Sequence, residues 1–495
     1  MTALWKLLSA GSHPGLSDAA EYVRELRRYC TSASADSGNA DLACVDLSNA
    51  DLGKRDLGKA GTHAGEPDAA MLSSRRESGK SPPASGPGNA GETLGRIGIV
   101  GAGLMGCTIA ALFLRCGHRV TLHEVQPEFL RTAPRRIAED CRAARSAEPE
   151  IEAVLDRFRL SERLADLRDC DLVLECVVEE EAVKRELLTR LEGLLTPAAV
   201  LASNTSGIPL ARLAAGLTRP ARFLGLHFLH PVRERPLVEV VRAPATGQEV
   251  LSAARDWIAG LGRLPLEVHD GPGFAVNRLL FPFLSEALQM LRHRWLPHEL
   301  DAVIERCGWM AGPCKIIDEI GVDTTFRVGR VLWQAFPDRV APSPILVTLL
   351  KRKRLGRKCG SGFYAYADTT AWTTPPQRDE YCDDWIRSWW EVEGESRPAG
   401  ENVARRIILG MMLEGFRLLA DGVVGDPRAV DAAAVFGLGF PERWGGPCRL
   451  ARAVGESALL ADLGELGSLS PFFIVNERTE RVIRRVVLGS ECGTV

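Results

Sequence analysis

Residues 96–124 read RIGIVGAGLMGCTIAALFLRCGHRVTLHE. A short β-branched run, Ile97 to Val100, leads into Gly101-Ala-Gly103-Leu-Met105-Gly106 and then into an apolar segment of helical length. This is strand, Gly-rich turn and helix in the order a dinucleotide-binding unit requires. Gly101 permits the tight turn, Gly103 lets the backbone approach a pyrophosphate, and Gly106 lets the helix pack on the strand. The free N–H groups and positive dipole end of the helix then face the phosphates. The following strand, RVTLHE, ends in Glu124, 23 residues after Gly101. A carboxylate there accepts hydrogen bonds from the adenosine ribose hydroxyls and repels a 2′-phosphate. No Arg falls in residues 125–128, so the pattern predicts NAD rather than NADP. The 18 uncharged residues between Arg96 and Arg115 also approach the length of a membrane span. Strand, turn and helix account for all of them, and no membrane association is expected.

Working outward, the runs IGIV, RVTLHE, DLVLECVV, AAVLAS, RFLGLHF, LVEVV and LPLEVH alternate early on with helical stretches such as 104–116 and 179–195. That alternation predicts a doubly wound α/β domain over 94–271. Beyond Gly271-Pro-Gly the strands stop and the pattern becomes helical. Residues 277–314 align with 405–448, each running helix, turn, helix and an aromatic segment ending in Gly-Pro-Cys. The interval from Glu286 to Asp301 recurs as Glu414 to Asp431 with two residues inserted, so a helical module is expected twice, over 272–368 and 401–495. A Pro-, Trp- and acid-rich linker is expected over 369–400.

The composition is that of a soluble globular chain: 495 residues, 45% hydrophobic, with 61 basic against 64 acidic residues. The net charge of -3 offers nucleic acid no electrostatic footprint. Thirteen cysteines lie singly, with no CxxC pair and no metal-ligand spacing, which suits reduced thiols in the cytoplasm. Residues 1–15 are too weakly apolar for a signal peptide. Residues 1–30 hold one candidate amphipathic helix, with Ser17-Asp18 as cap and Tyr22, Val23 and Leu26 along one stripe. From Thr31 to Thr93 there is no aromatic residue, and 33 of 63 residues are Ala, Gly, Ser or Pro. Such a segment buries too little apolar surface to offset its ordering entropy. Residues 1–93 are therefore expected to be a largely disordered extension, dispensable for folding, with four pentapeptides at 40–59 read as low complexity.

Two strands carry candidate chemistry. His227 lies in the apolar run GLHFLHP, and Glu239 lies between Val238 and Val240. A carboxylate in such a strand needs a partner, and a His-Glu pair supplies one. The acid fixes the imidazole tautomer and stabilises the imidazolium, while the other ring nitrogen takes a proton from substrate.

The motifs GAGLMG, LVLECVVEEEAVK, ASNTS, GLHFLHPV, LVEVV, GPGFAVNRLL, GRKCGSGFYAY and FGLGFP span about residues 95–490. Together they resemble the L-3-hydroxyacyl-CoA dehydrogenases, in particular the dehydrogenase portion of bacterial fatty-acid oxidation multifunctional proteins. The resemblance implies a Rossmann-type NAD-binding domain followed by two tandem all-α C-terminal modules. It implies NAD-dependent oxidation of a 3-hydroxyacyl thioester, or the reverse, with His227 as base and Glu239 as its partner. Ser206 and Asn277 are implied as substrate contacts, and Met105, Glu124, Glu179, Lys184 and Ser206 as cofactor contacts. Lys358 is a weaker candidate, because Lys351 to Lys358 reads equally as a solvated basic run. Three places depart from the family pattern. His230 stands where an Asn is usual, Phe436 where a Tyr reaches substrate, and Met310-Ala311 where Pro-Met is usual. A carrier-protein-bound substrate is the alternative these changes would suit, and a non-catalytic NAD- or acyl-CoA-binding scaffold is a third reading. Residues 1–93 are too short and polar for the hydratase half, so a single reaction is expected, in a monomer or homodimer. Two readings of His230 stand side by side: it is a neutral hydrogen-bonding substitute for the usual Asn, or it faces the thioester, titrates near neutrality and couples to His227.

Overall fold

The computed structural model describes residues 4, 7–8, 16–32, 95–340, 342–369, 374–393 and 397–489. The expected linker over residues 31–93, with its pentapeptides, lies almost wholly outside them.

Eight strands form one sheet in the order β3-β2-β1-β4-β5-β6-β7-β8. They are β1 (Arg96–Val100), β2 (Arg119–His123), β3 (Phe158–Ser161), β4 (Leu172–Glu175), β5 (Val200–Ser203), β6 (Phe223–Phe228), β7 (Leu237–Arg242) and β8 (Leu264–His269). The strands from β3 through to β6 pair in parallel, and their chain order reverses between β1 and β4. Such a switch point opens a crevice beyond the carboxyl ends of the two strands. β7 then turns back antiparallel to β6, which sets His227 directly opposite Glu239. The strands missed by pattern reduce to β3, a four-residue edge strand with one fully buried position.

The helical part contains the expected duplication. The long helices Val276–Arg292 and Gly400–Ala420 begin the two copies and pack against each other. Their contact is reciprocal: Arg278 pairs with Glu414 at 2.5 Å, and Arg406 pairs with Glu286. Each residue pair is related by the repeat, so the contact has the self-complementary form of a two-fold dimer interface inside one chain. In each copy a buried Asp then receives the first turn of the helix after Gly-Pro. Asp301 accepts from the backbone N–H groups of Cys314 (2.8 Å) and Lys315 (3.1 Å), and Asp431 from those of Cys448 (2.7 Å) and Arg449 (3.2 Å).

Two stretches differ from expectation. The predicted linker 369–400 holds a helix, Glu380–Glu393, whose Cys382 and Ile386 are buried and whose Trp390 indole donates to the Leu291 carbonyl at 2.8 Å. Nor are the described residues among the first 32 a free extension. The helix Ala19–Ser32 buries Tyr22, Val23, Leu26 and Cys30 and packs on the second module and on β8, and Leu4, Leu7, Leu8 and Leu16 are buried too. Asp18 pairs with Arg449, and the Tyr22 hydroxyl donates to Asp431 at 2.8 Å. Apolar residues at helical spacing carried this information, and the low apolar content of residues 33–93 does not bear on it. No described helix is long and apolar enough to cross a membrane.

Candidate active site

The turn after β1 is built for close approach. Gly101 has φ +106°, and a Cβ there would lie 2.7 Å from the Cys176 carbonyl, while a Cβ on Gly106 would strike the carbonyl of Gly101 itself. Gly103 caps the helix Leu104–Arg115 without any side-chain cap, and nothing stands within 4 Å of where its Cβ would be. The N–H groups of that helix start are thus left for an incoming ligand. Glu124 closes the side of the turn: its carboxylate accepts from the N–H groups of Ala102 (2.9 Å), Val125 (2.8 Å) and Gln126 (3.0 Å). An open helix N-terminus beside a fixed carboxylate matches the pyrophosphate and ribose of a dinucleotide. The guanidinium of Arg136, which pattern reading did not single out, lies 3.4 Å from the Ala102 carbonyl.

Beyond the ends of β4 and β5 the acidic run becomes a buried network. Lys184 is 1% exposed and bonds Glu175 at 2.7 Å and Glu179 at 3.2 Å. Burial alone would lower its ammonium, but the two carboxylates more than offset this and hold its pKa above the ordinary range. Glu175 also accepts from Ser203 Oγ (2.6 Å) and the Val177 N–H (2.7 Å). Glu179 accepts from Thr205 Oγ1 (2.5 Å) and the Ser206 N–H (2.9 Å). Lys184 therefore ties the β4 and β5 ends together through carboxylates. Glu175, Ser203 and Thr205 were not anticipated, although Glu175 sits in an apolar strand just as Glu239 does.

His227 Nδ1 lies 2.7 Å from Glu239 Oε2, and both residues are buried. The other Glu239 oxygen accepts from the N–H groups of Ala275 (2.8 Å) and Val276 (3.0 Å), at the start of the helix that bears Asn277. The carboxylate is thereby held by a helix N-terminus and can anchor the imidazole without rotating. Asn277 Nδ2 donates to the Ser206 carbonyl at 2.5 Å, which joins this helix to the β5 loop. Met105, Glu179, Lys184, Asn204 and Ser206 line one cleft with Thr324, Arg327 and Val328 of the first helical module. The structure thus places the expected residues in three groups: the open turn after β1, the salt-bridged network beyond β4 and β5, and the buried His227–Glu239 pair with Asn277 beside it; of these residues Met105, Glu179, Lys184 and Ser206 line the cleft. It adds Asn204, whose side chain accepts from the Phe228 N–H at 2.9 Å, and the three residues of the helix Val322–Ala335.

The departures from the family pattern sit differently. Phe436 is buried beneath the guanidinium of Arg27, 4.9 Å from its ring centroid, and is not part of the cleft lining. Met310 is exposed. Lys358 pairs with Asp323, outside the lining but next to Thr324. His230 has its pKa pushed down to about 4, first by burial and then by Arg235. Of the two readings of His230, the second imidazole titrating near neutrality is therefore corrected, and burial favours the neutral ring.

Residues 96–271 match the family described as 3-hydroxyacyl-CoA dehydrogenase, NAD binding domain, and residues 273–366 match its C-terminal domain. The fatty acid oxidation complex subunit alpha of Psychrobacter arcticus is 33% identical over 369 residues, covering 73% of this chain and 51% of that protein. The chain thus spans about half the length of the curated relatives it matches. The crystal structure of (S)-3-hydroxybutyryl-CoA dehydrogenase from Ralstonia eutropha is 31% identical with TM-score 0.52, covering 56% of this chain and all of that one. The 3-hydroxybutyryl-CoA dehydrogenase of Escherichia coli K12 shares the fold, at TM-score 0.67 and 24% identity over 80% of this chain and 99% of that one.

Proposed function

The chain belongs to the 3-hydroxyacyl-CoA dehydrogenase family, with an NAD-binding domain, and on that premise we propose that it oxidises a 3-hydroxyacyl-CoA thioester to the 3-ketoacyl thioester, or runs the reverse. The observation that carries this reading is the His227–Glu239 pair, buried and fixed from behind by two backbone N–H groups. NAD, when bound, supplies the hydride acceptor. Gly101, Gly103 and Gly106 would hold its pyrophosphate and Glu124 its adenosine ribose. With Nδ1 engaged by Glu239, His227 presents Nε2 to take the proton of the 3-hydroxyl, and Glu239 stabilises the imidazolium that forms. Asn277 and Ser206, joined to each other, orient the hydroxyl and the thioester end. Lys184 holds Glu179 and the Ser206 loop against the cofactor face. The protein acts in the cytoplasm as a monomer or homodimer.

The test is NADH absorbance with purified protein, offering 3-hydroxyacyl-CoA substrates of several lengths and the same acyl groups on carrier protein. Turnover of CoA thioesters supports the reading, and turnover only on carrier protein shifts the substrate class. Turnover of neither contradicts the dehydrogenase reading and leaves a binding scaffold.

A further inference from the structure

Between β8 and the helix Val276–Arg292 the chain crosses from the NAD-binding domain to the first helical module, and it does so through two consecutive residues with left-handed backbone. Gly273 has φ +73° and Phe274 φ +50°. At Gly273 the conformation carries no steric cost, and no side chain would fit, since a Cβ there would lie 2.7 Å from Leu332 Cδ2. For a bulky residue such as Phe274 the same backbone is strained. A glycine at 274 would remove the strain together with the phenyl ring. Strain of this kind persists where the surrounding structure over-determines it and the site uses it.

The use lies in what the residue touches. Phe274 is fully buried, and its ring packs beside that of His227, with centroids 5.8 Å apart and planes tilted by 57°. Its own N–H is spent inside the turn, on the Gly271 carbonyl at 3.2 Å, and the Gly273 N–H reaches the Gly207 carbonyl at 3.4 Å, next to Ser206. The next two N–H groups, of Ala275 and Val276, are those that hold Glu239. One residue thus meets the acid–base pair from two sides: its side chain covers the imidazole, and its backbone turn aims the donors that fix the carboxylate. Phe274 is not part of the cleft lining, so it acts through the pair and not on substrate.

We propose that Phe274 is a positioning residue for the His227–Glu239 pair: its left-handed turn, pinned by the buried ring, locks imidazole and carboxylate in one register and keeps water from the proton between Nδ1 and Glu239. The step this geometry serves, removal of the 3-hydroxyl proton at Nε2, rests on the dehydrogenase reading. A misplacement of about 1 Å at such a pair is enough to cost on the order of 100-fold in rate.

The experiment compares full chains of wild type, Phe274→Leu and Phe274→Gly by two readouts. Leu keeps a buried apolar side chain and the strained turn but loses the flat ring, while Gly loses ring and strain together. The first readout is proton NMR of the His227 Nδ1–H, a resonance downfield of the backbone amides, identified by its absence from His227→Gln. It should be sharp in wild type and broadened by exchange with water in both variants. The second is single-turnover NADH formation from the 3-hydroxyacyl-CoA that wild type turns over fastest. That rate should fall about 10-fold in Phe274→Leu and about 100-fold in Phe274→Gly, with Kd values for NAD and thioester within about twofold of wild type. A resonance absent from wild type, or as sharp in the variants as in wild type, overturns the proposal. So does a rate within about twofold of wild type in both variants, or a fall that weaker binding of NAD or thioester accounts for in full. If Phe274→Gly does not fold, Phe274→Leu decides alone. A resonance that behaves as expected in a protein forming no NADH overturns only the dehydrogenase reading.

Discussion

In the first helical module the buried carboxylate of Asp301 accepts a hydrogen bond from Tyr364, 2.7 Å away and 63 residues further along the chain. In the second module the equivalent carboxylate, Asp431, accepts from Tyr22, 409 residues earlier. The two sites are otherwise alike, each capping the helix that follows Gly-Pro. The duplication thus copied the helices but not the segment that closes them, and the second copy is closed by the chain's N-terminal helix. The copies differ again at the cleft. The first contributes Thr324, Arg327 and Val328 to the lining, and the second contributes none of the lining residues. One copy faces that cleft, and the other packs against the first through the paired long helices.

If the N-terminal helix is an integral part of the second module, deleting residues 1–32 should have the largest effect. It would remove Leu4, Leu7, Leu8, Leu16, Tyr22, Val23 and Leu26, all buried, from the core. At about 1.5–3 kcal/mol per buried large side chain, the loss is of the same order as the whole stability of an ordinary domain. Aggregation on expression, or a melting temperature lower by more than about 10 °C, is expected. An unchanged melting curve would break the comparison at its root.

The reciprocal ion pairs sharpen it next. Arg278 and Glu414 are each 3% exposed, while Arg406 is 17% exposed. Arg278→Ala should therefore cost about 3–5 kcal/mol in denaturant unfolding, and Arg406→Ala distinctly less. Equal costs would mean that the pairs are not set apart by burial.

The closing carboxylates predict a pH effect. Burial raises Asp301 and Asp431 to about 7, well above the unfolded carboxylate range. The folded state therefore keeps a proton that the unfolded chain releases. The associated stability is present below pH ~4 and is lost as pH rises through about 7. Between pH 4.5 and 7.5 wild type should lose on the order of 2 kcal/mol relative to Asp431→Asn, read as urea midpoints. A constant difference across that range contradicts the assignment. Smallest of all, Tyr22→Phe and Tyr364→Phe should each cost about 1–2 kcal/mol, by removing one hydroxyl that donates to a carboxylate. A neutral Tyr22→Phe beside a costly Tyr364→Phe would show that the N-terminal closure is only steric.

Local and periodic information carried most of this architecture. Seven of the eight strands, the Gly-rich turn and the duplicated module follow from spacing alone, and the His227–Glu239 pair follows from the rule that a carboxylate in an apolar strand needs a partner. The same rule applied to LVLE would have found Glu175. The helix Glu380–Glu393 carries apolar residues at 382, 386, 389 and 390, a helical period overshadowed by the flanking Pro and acidic residues. Other features had no local signal. Tyr22 meets Asp431 only through the tertiary fold, and the low pKa of His230 comes from burial and Arg235, neither of which a motif encodes.

The acid–base assignment is tested most directly by single-turnover NADH formation in His227→Gln, alongside titration of NAD binding to the same protein. A proton-transfer rate lower by roughly 10² to 10⁴, with NAD affinity within about twofold of wild type, is the predicted result. A rate close to wild type, or a loss of NAD affinity that accounts for the whole drop, would contradict it.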